Sequence, residues 1–169
     1  MRIAQHTPSA RAAERPMLAV LSDRRSFGGV RVRALRDGDR VQLLSRGGKL
    51  CERSYPELVH ALAGQSCREF TVDGEIVAVH DGRTDFSLLQ QRSGITDPRA
   101  ALAASIPVFY YLFDLLRLDG HDLTLLPLRT RKALLRGALA FDDPLRFTPH
   151  RNHWTRGSST LPAPAAGRA

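Results

Sequence analysis

The chain has 169 residues, 43% of them hydrophobic and 25% charged, which suits one globular domain with a real core. No apolar run approaches the roughly 20 residues of a membrane-spanning helix, and Met1-Arg2-Ile3-Ala4-Gln5-His6 lacks the apolar stretch of a secretory signal. The net charge of +8, with arginine supplying all but two of the 25 basic residues, suggests an acidic partner such as nucleic acid.

Residues 1–15 are polar and aperiodic and are expected to be disordered. Val30, Val32 and Ala34 alternate with Arg31, Arg33 and Leu35, the pattern of a half-buried strand. Asp37-Gly38 is a tight-turn pair leading to a second strand over Arg40–Ser45. Pro56 opens a helix over Pro56–Ala63 that Gly64 ends. Phe70–Val72 and Glu75–His80 read as strands, with Asp81-Gly82 turning out of the second. Phe86–Arg92 and Pro98–Ala104 read as short helices, and the apolar run Val108–Leu116 as a buried central strand. Leu118-Asp119-Gly120 makes a turn. A helix over Leu128–Leu139 follows, with Leu128, Leu135, Ala138 and Leu139 on one side and Arg129, Lys132 and Arg136 on the other. Leu145–Thr148 reads as a last strand, and the Pro/Ala-rich residues 151–169 as a disordered tail. Hairpins with interspersed helices imply an α+β domain with largely antiparallel sheets.

The charge is uneven. Residues 144–169 contain four arginines and no acid, and residues 1–16 carry Arg2, Arg11 and Arg15 against Glu14. The excess therefore lies mainly in the ends, which fits solvated basic tails as well as a phosphate-binding surface. Cys51 and Cys67 form no metal-type pair and read as free thiols of a cytoplasmic protein. The histidines show no metal-site spacing, and no metal held by protein ligands alone is expected.

Several motifs carry candidate chemistry. Asp73-Gly74-Glu75 sits between apolar strand residues. It reads either as a turn with a surface acid or as a carboxylate set to accept hydrogen bonds from sugar hydroxyls. Ser45-Arg46-Gly47-Gly48-Lys49 ends a strand in a glycine pair that allows close backbone approach, beside an arginine fork and a lysine charge suited to phosphate. Along Phe109–Phe113, alternation puts Phe109, Tyr111 and Phe113 on one face and Tyr110 and Leu112 on the other. One ring could stack on a base, although core packing is the commoner role. Arg129, Arg131, Lys132 and Arg136 offer either phosphate contacts or a solvated basic helix face.

Taken in order, Ser-Arg-x-Gly-Lys, Tyr-Pro-Glu-Leu, Val-Asp-Gly-Glu-Ile-Val, Asp-Phe-x-x-Leu-Gln-x-Arg, Tyr-Tyr-x-Phe-Asp-Leu-Leu-x-Leu-Asp-Gly and Leu-Pro-Leu-x-x-Arg-Lys resemble the adenylation domain of ATP-dependent DNA ligases. The closest likeness is to the bacterial ligase D type. The resemblance covers about 16–150 and implies a partial nucleotidyltransferase (ATP-grasp-like) domain. In that family a lysine in a Lys-x-Asp-Gly motif attacks ATP with Mg²⁺ assisting, AMP passes to the 5′-phosphate of nicked or broken duplex DNA, and the nick is sealed in repair and recombination. By resemblance Arg31 touches the nucleotide, Glu75 binds its ribose and Phe113 stacks on adenine. Ser45, Arg46 and Lys49 match the segment that meets nucleotide and DNA phosphates.

The resemblance breaks at both ends. Arg25-Ser26-Phe27 runs directly into Gly28-Gly29-Val30-Arg31, so the segment bearing the nucleophilic lysine reads as deleted. Lys49 and Lys132, the only lysines in the sequence, stand in unsuitable contexts. Past Arg151 the family's Glu-Gly and Lys-x-Lys segments and its oligonucleotide-binding domain are not matched. The expectation is a truncated, monomeric ligase adenylation domain that does not self-adenylate, with catalytic residues: none. The alternatives are a non-catalytic nucleotide- or DNA-binding module, or a decayed product whose first hairpin leaves the sheet an open edge.

Overall fold

The computed structural model describes residues 28–149. The two segments expected to be disordered, and His6, His150 and His153, lie outside them. The fold is a mixed β-sheet backed by helices, as the hairpin pattern implies.

Strands β1 (Val30–Asp37) and β2 (Arg40–Ser45) form the first hairpin, turning through Gly38 at φ +62°. A 3₁₀ turn at Glu52–Ser54 leads into helix α1 (Pro56–Ala63). Strand β3 (Glu69–His80) and the short β4 (Arg83–Thr84) come next, then α2 (Phe86–Gly94) and α3 (Pro98–Ala103). Strand β5 (Val108–Leu118), the short β6 (His121–Asp122), helix α4 (Leu128–Ala138) and β7 (Leu145–Phe147) complete the described chain. The sheet order is β2-β1-β3-β5-β6, with β4 on β3 and β7 on β5. Every strand pairing is antiparallel except β5–β7, which is parallel.

One face of the sheet forms the core. Val32, Ala34, Phe70, Val72, Ile76, Tyr110 and Leu112 pack there against Leu58 and Leu62 of α1, Leu89 of α2 and Leu135 of α4. Local chemistry explains the helix ends. Asp85 and Asp97 cap α2 and α3 by accepting backbone N–H bonds. The buried Arg36 donates to the carbonyls of Leu62, Gln65 and Cys67, satisfying the C-terminal end of α1. Arg92 of the Asp-Phe-x-x-Leu-Gln-x-Arg block is fully buried. Its Nη2 donates to both Glu57 oxygens, at 2.7 and 2.8 Å, tying α2 to the Tyr-Pro-Glu-Leu block on α1.

Two sequence expectations change. Asp73-Gly74 is not a turn: Phe70–Val72 and Glu75–His80 belong to one continuous strand, and Asp73 is buried. The reason is packing. A Cβ on Gly74 would lie 2.6 Å from the Tyr110 ring and from the Tyr111 carbonyl oxygen. The bare glycine lets Tyr110 pass beneath β3 and donate its hydroxyl to the Val32 carbonyl of β1 at 2.7 Å. Arg131 belongs to neither a phosphate-facing nor a solvated set, because it is buried in an ion pair with Asp114. Among the described residues the edge of the first hairpin is β2, and Lys49–Cys51 fold back along it: Leu50 bridges to Leu44, the Ser45 N–H bonds the Lys49 carbonyl and the Cys51 N–H bonds the Leu43 carbonyl.

The Gly74 contact gives a stability prediction. Gly74→Ala forces the Tyr110 ring and β5 aside, an overpacking cost of roughly 1–3 kcal/mol. Urea unfolding should show a lower midpoint at unchanged slope, and an unchanged midpoint would mean that the ring is not held there.

Candidate functional site: a charged and aromatic row across β1, β3 and β5

Register assembles the site. Arg31 on β1 lies opposite Glu75 on β3, which lies opposite Tyr111 on β5, which lies opposite Arg146 on β7. Residues directly opposite share a sheet face, so these side chains form one row on the side away from the core. Phe113 joins it: the Arg31 guanidinium carbon lies 5.4 Å from the Phe113 ring centroid, within cation–π range. Arg146 closes the far end, 4.0 Å from the Phe109 ring centroid and donating to the Tyr111 hydroxyl at 3.2 Å.

Asp73 orients Arg31. Its Oδ2 accepts Arg31 Nη2 at 2.6 Å, and both carboxylate oxygens accept Nε at 3.2 Å. Asp73 is 3% exposed and Arg31 is 31% exposed, so the acid is sealed in the sheet while part of the guanidinium faces out. The hydrogen bonds from Asp73 raise the Arg31 pKa above its already high value, against the lowering effect of burial. The arginine is a permanent cation.

Glu75 reaches back to the start of the described chain and accepts the Gly29 N–H at 2.9 Å. Gly29 sits so close to β3 that a Cβ would stand 2.4 Å from the Ile76 carbonyl oxygen and 2.7 Å from the Glu75 side chain. Only glycine permits this approach.

The basic turn lies at the neighbouring corner. Ser45 pairs with Val32, one residue from Arg31. The Ser45 hydroxyl accepts the Lys49 N–H at 3.1 Å, and the Gly48 N–H bonds the Ser45 carbonyl at 2.8 Å with φ +76° at Gly48. Arg46 and Lys49 are exposed. Lys132, the other lysine, is half-buried on α4 and donates to the Thr148 carbonyl at 3.0 Å; burial lowers its pKa.

Arg31, Glu75 and Phe113 are thus brought together, whereas Ser45 lies opposite the core residue Val32 and Arg46 and Lys49 stand on the exposed turn that follows it. The open groove lined by Pro56, Glu57, His60, Leu102 and Pro144 contains none of the six. Sequence reading passed over Gly29, Asp73 as the partner of Arg31, and the Asp114–Arg131 pair. The Gly28-Gly29 pair and the apolar neighbours of Asp73 are the signals the sequence offers. Among the described residues no cluster of three His, Cys, Asp or Glu side chains is placed to hold a metal ion, and no helix is long and apolar enough to cross a membrane.

Chemically, the row offers a ring that can stack, a carboxylate that can accept from hydroxyls and guanidinium groups that can pair with anionic oxygens. The chain is 38% identical to a probable DNA ligase of Streptomyces griseus over 122 residues, covering 71% of this chain and 24% of the relative. It is also 38% identical to DNA ligase C of Mycobacterium tuberculosis, covering 64% of this chain and 31% of the relative. The chain therefore spans about a quarter to a third of these relatives. Among solved structures, a mycobacterial DNA ligase D complexed with ATP and MES superposes with a TM-score of 0.55 at 27% identity, covering 73% of this chain and 38% of that one. The ligase domain of M. tuberculosis LigD superposes with a TM-score of 0.54 at 28% identity, covering 72% and 37%. The model of the ATP dependent DNA ligase domain matches residues 25–157, and the chain belongs to that family.

Proposed function

We propose that this DNA ligase-like chain is the nucleotide-cradling part of an adenylation domain, and that it binds ATP without becoming covalently adenylated. The observation that carries this reading is the convergence of Arg31, Glu75 and Phe113 on one face, in a sequence with no lysine before Lys49. The roles follow the chemistry. Phe113 offers a ring for the adenine, Glu75 accepts from ribose hydroxyls, and Arg31 pairs with phosphate oxygens. Arg46 and Lys49 extend the positive field toward further phosphates. Mg²⁺ enters this reading as an ion carried by the phosphates of ATP, its usual mode when a protein supplies few ligands. The bound nucleotide supplies an electrophilic phosphorus, and the chain orients it.

What the described residues do not supply is an aligned nucleophile. Phosphoryl attack needs an uncharged amine held in line. Lys132 is partly shifted toward the uncharged form by burial, but its amine is engaged by the Thr148 carbonyl. Lys49 sits on an exposed turn. Arginine keeps its proton and cannot substitute. In this proposal the functional domain runs over 16–150, the protein acts as a monomer in the cytoplasm, and the family's role in repair and recombination reaches it through binding of nicked or broken duplex DNA.

Three measurements test the reading. Incubation with α-labelled ATP and Mg²⁺ should leave no label on the denatured protein; a covalent AMP adduct would overturn the proposal and would map to Lys49 or Lys132. Equilibrium binding of ATP should be lost by about tenfold in Glu75→Gln, the scale of a charge-assisted hydrogen bond; equal affinity would remove Glu75 from the site. Nicked-duplex binding should weaken as salt rises, and Arg46→Ala with Lys49→Ala should flatten the log–log slope by about two units. Binding indifferent to salt would rule out the phosphate contacts.

A further inference from the structure

The ring that the proposed function assigns to adenine sits on an irregularity. Pairing of β5 with β3 runs to Leu112, opposite Gly74, and resumes at Asp114, opposite Asp73. Phe113 is therefore an extra residue with no partner in the ladder, a β-bulge. Bulges bend a strand and re-aim one side chain, often beside a functional site. A bulged residue is not fixed by ladder hydrogen bonds, so something else must set the direction of its ring.

The next residue does this. Asp114 is 7% exposed at its side chain and its partner Arg131 is 6% exposed. Oδ1 of Asp114 accepts the Leu115 N–H at 2.9 Å and Arg131 Nε at 2.8 Å, and Oδ2 accepts Arg131 Nη2 at 2.8 Å. The third nitrogen, Nη1, donates to the Leu126 carbonyl at 2.6 Å and toward the Thr124 carbonyl at 3.5 Å. One guanidinium thus fastens the bulge of β5 to the segment that precedes α4. A buried pair of this kind adds little stability over an apolar replacement of similar size, and its best-attested benefit is to select one arrangement among several.

We propose that Arg131, acting through Asp114, is a positioning residue for the nucleotide site: it locks the β5 bulge so that the Phe113 ring is held in the direction that stacks a base. The proposal rests on the nucleotide reading given above. Arg131 touches neither nucleotide nor phosphate. Its role is to remove the alternative settings of the ring.

The test uses the full chain with para-fluorophenylalanine placed at position 113, and the double variant Asp114→Leu, Arg131→Met, which replaces the ion pair by apolar groups. The wild type should give one sharp fluorine resonance. The double variant should keep a cooperative thermal transition while that resonance broadens or splits. A resonance as sharp and unshifted as the wild type's overturns the proposal whether or not nucleotide binds. A second arm titrates ATP and inorganic tripolyphosphate. In the double variant ATP affinity should fall by about tenfold, the scale of one base–aromatic stack, with tripolyphosphate binding unchanged. Unaltered ATP affinity, or equal loss for both ligands, counts against the proposal. A wild type that fails to bind ATP refutes the nucleotide reading alone, because the fluorine lines still decide the positioning role. Should the double variant not fold, Arg131→Lys, which keeps the charge but lacks the planar fork, is read by the same resonance.

Discussion

Two aspartates face each other across the middle of the sheet, and the rest of the structure is arranged to make that tolerable. Asp73 on β3 and Asp114 on β5 are register partners, both nearly sealed from solvent. Two like charges this deep would repel strongly and would each carry a large desolvation penalty. Each is matched by its own arginine, Arg31 from β1 and Arg131 from α4. The two anions lie side by side, flanked by Arg31 and Arg131, and the buried Arg33 of β1 stands directly opposite Asp73. Three strands and a helix must therefore hold their relative positions, since moving any one strands a buried charge. The outer member of the line, Arg31, is also a member of the candidate site.

Much of this architecture was legible in the sequence where punctuation was strong. The bounds of β2 and α1 followed from Asp37-Gly38, Pro56 and Gly64, because these residues restrict the backbone whatever surrounds them. The continuity of β3 was not legible. Asp73-Gly74 carries a turn signature, and only the Tyr110 ring packed beneath it shows why a glycine is needed in mid-strand. Arg131 shows the same limit: helical spacing sets its direction, but an ion pair with a residue 17 positions earlier depends on strand order. The parallel placement of β7 and the bulge at Phe113 are likewise products of pairing. For the site, the motif order named Arg31, Glu75 and Phe113, while their meeting on one face required the order β1-β3-β5.

The proposed function separates binding chemistry from reaction chemistry. The groups suited to a base, a sugar and phosphates come from strands that the core already fixes. Neither lysine belongs to the row: Lys49 stands on the exposed turn and Lys132 on α4. The relatives are much longer than this chain, so their activities belong to a larger assembly of parts. The middle of such a domain can keep its shape without them, because its buried charges are matched from within.

The Tyr110 hydroxyl, reaching from β5 under Gly74 to the Val32 carbonyl, grades the sheet mechanically. It stitches β5, β3 and β1 into a single unit that opens only with the core. Strand β2 lies outside that stitch, held by β1 on one side and by the returning Lys49–Cys51 segment on the other, and it carries the basic turn. Local opening in proteins begins where cross-links are fewest. Arg31, on β1, belongs to the stitched unit, while Arg46 and Lys49 stand on the exposed turn beyond it.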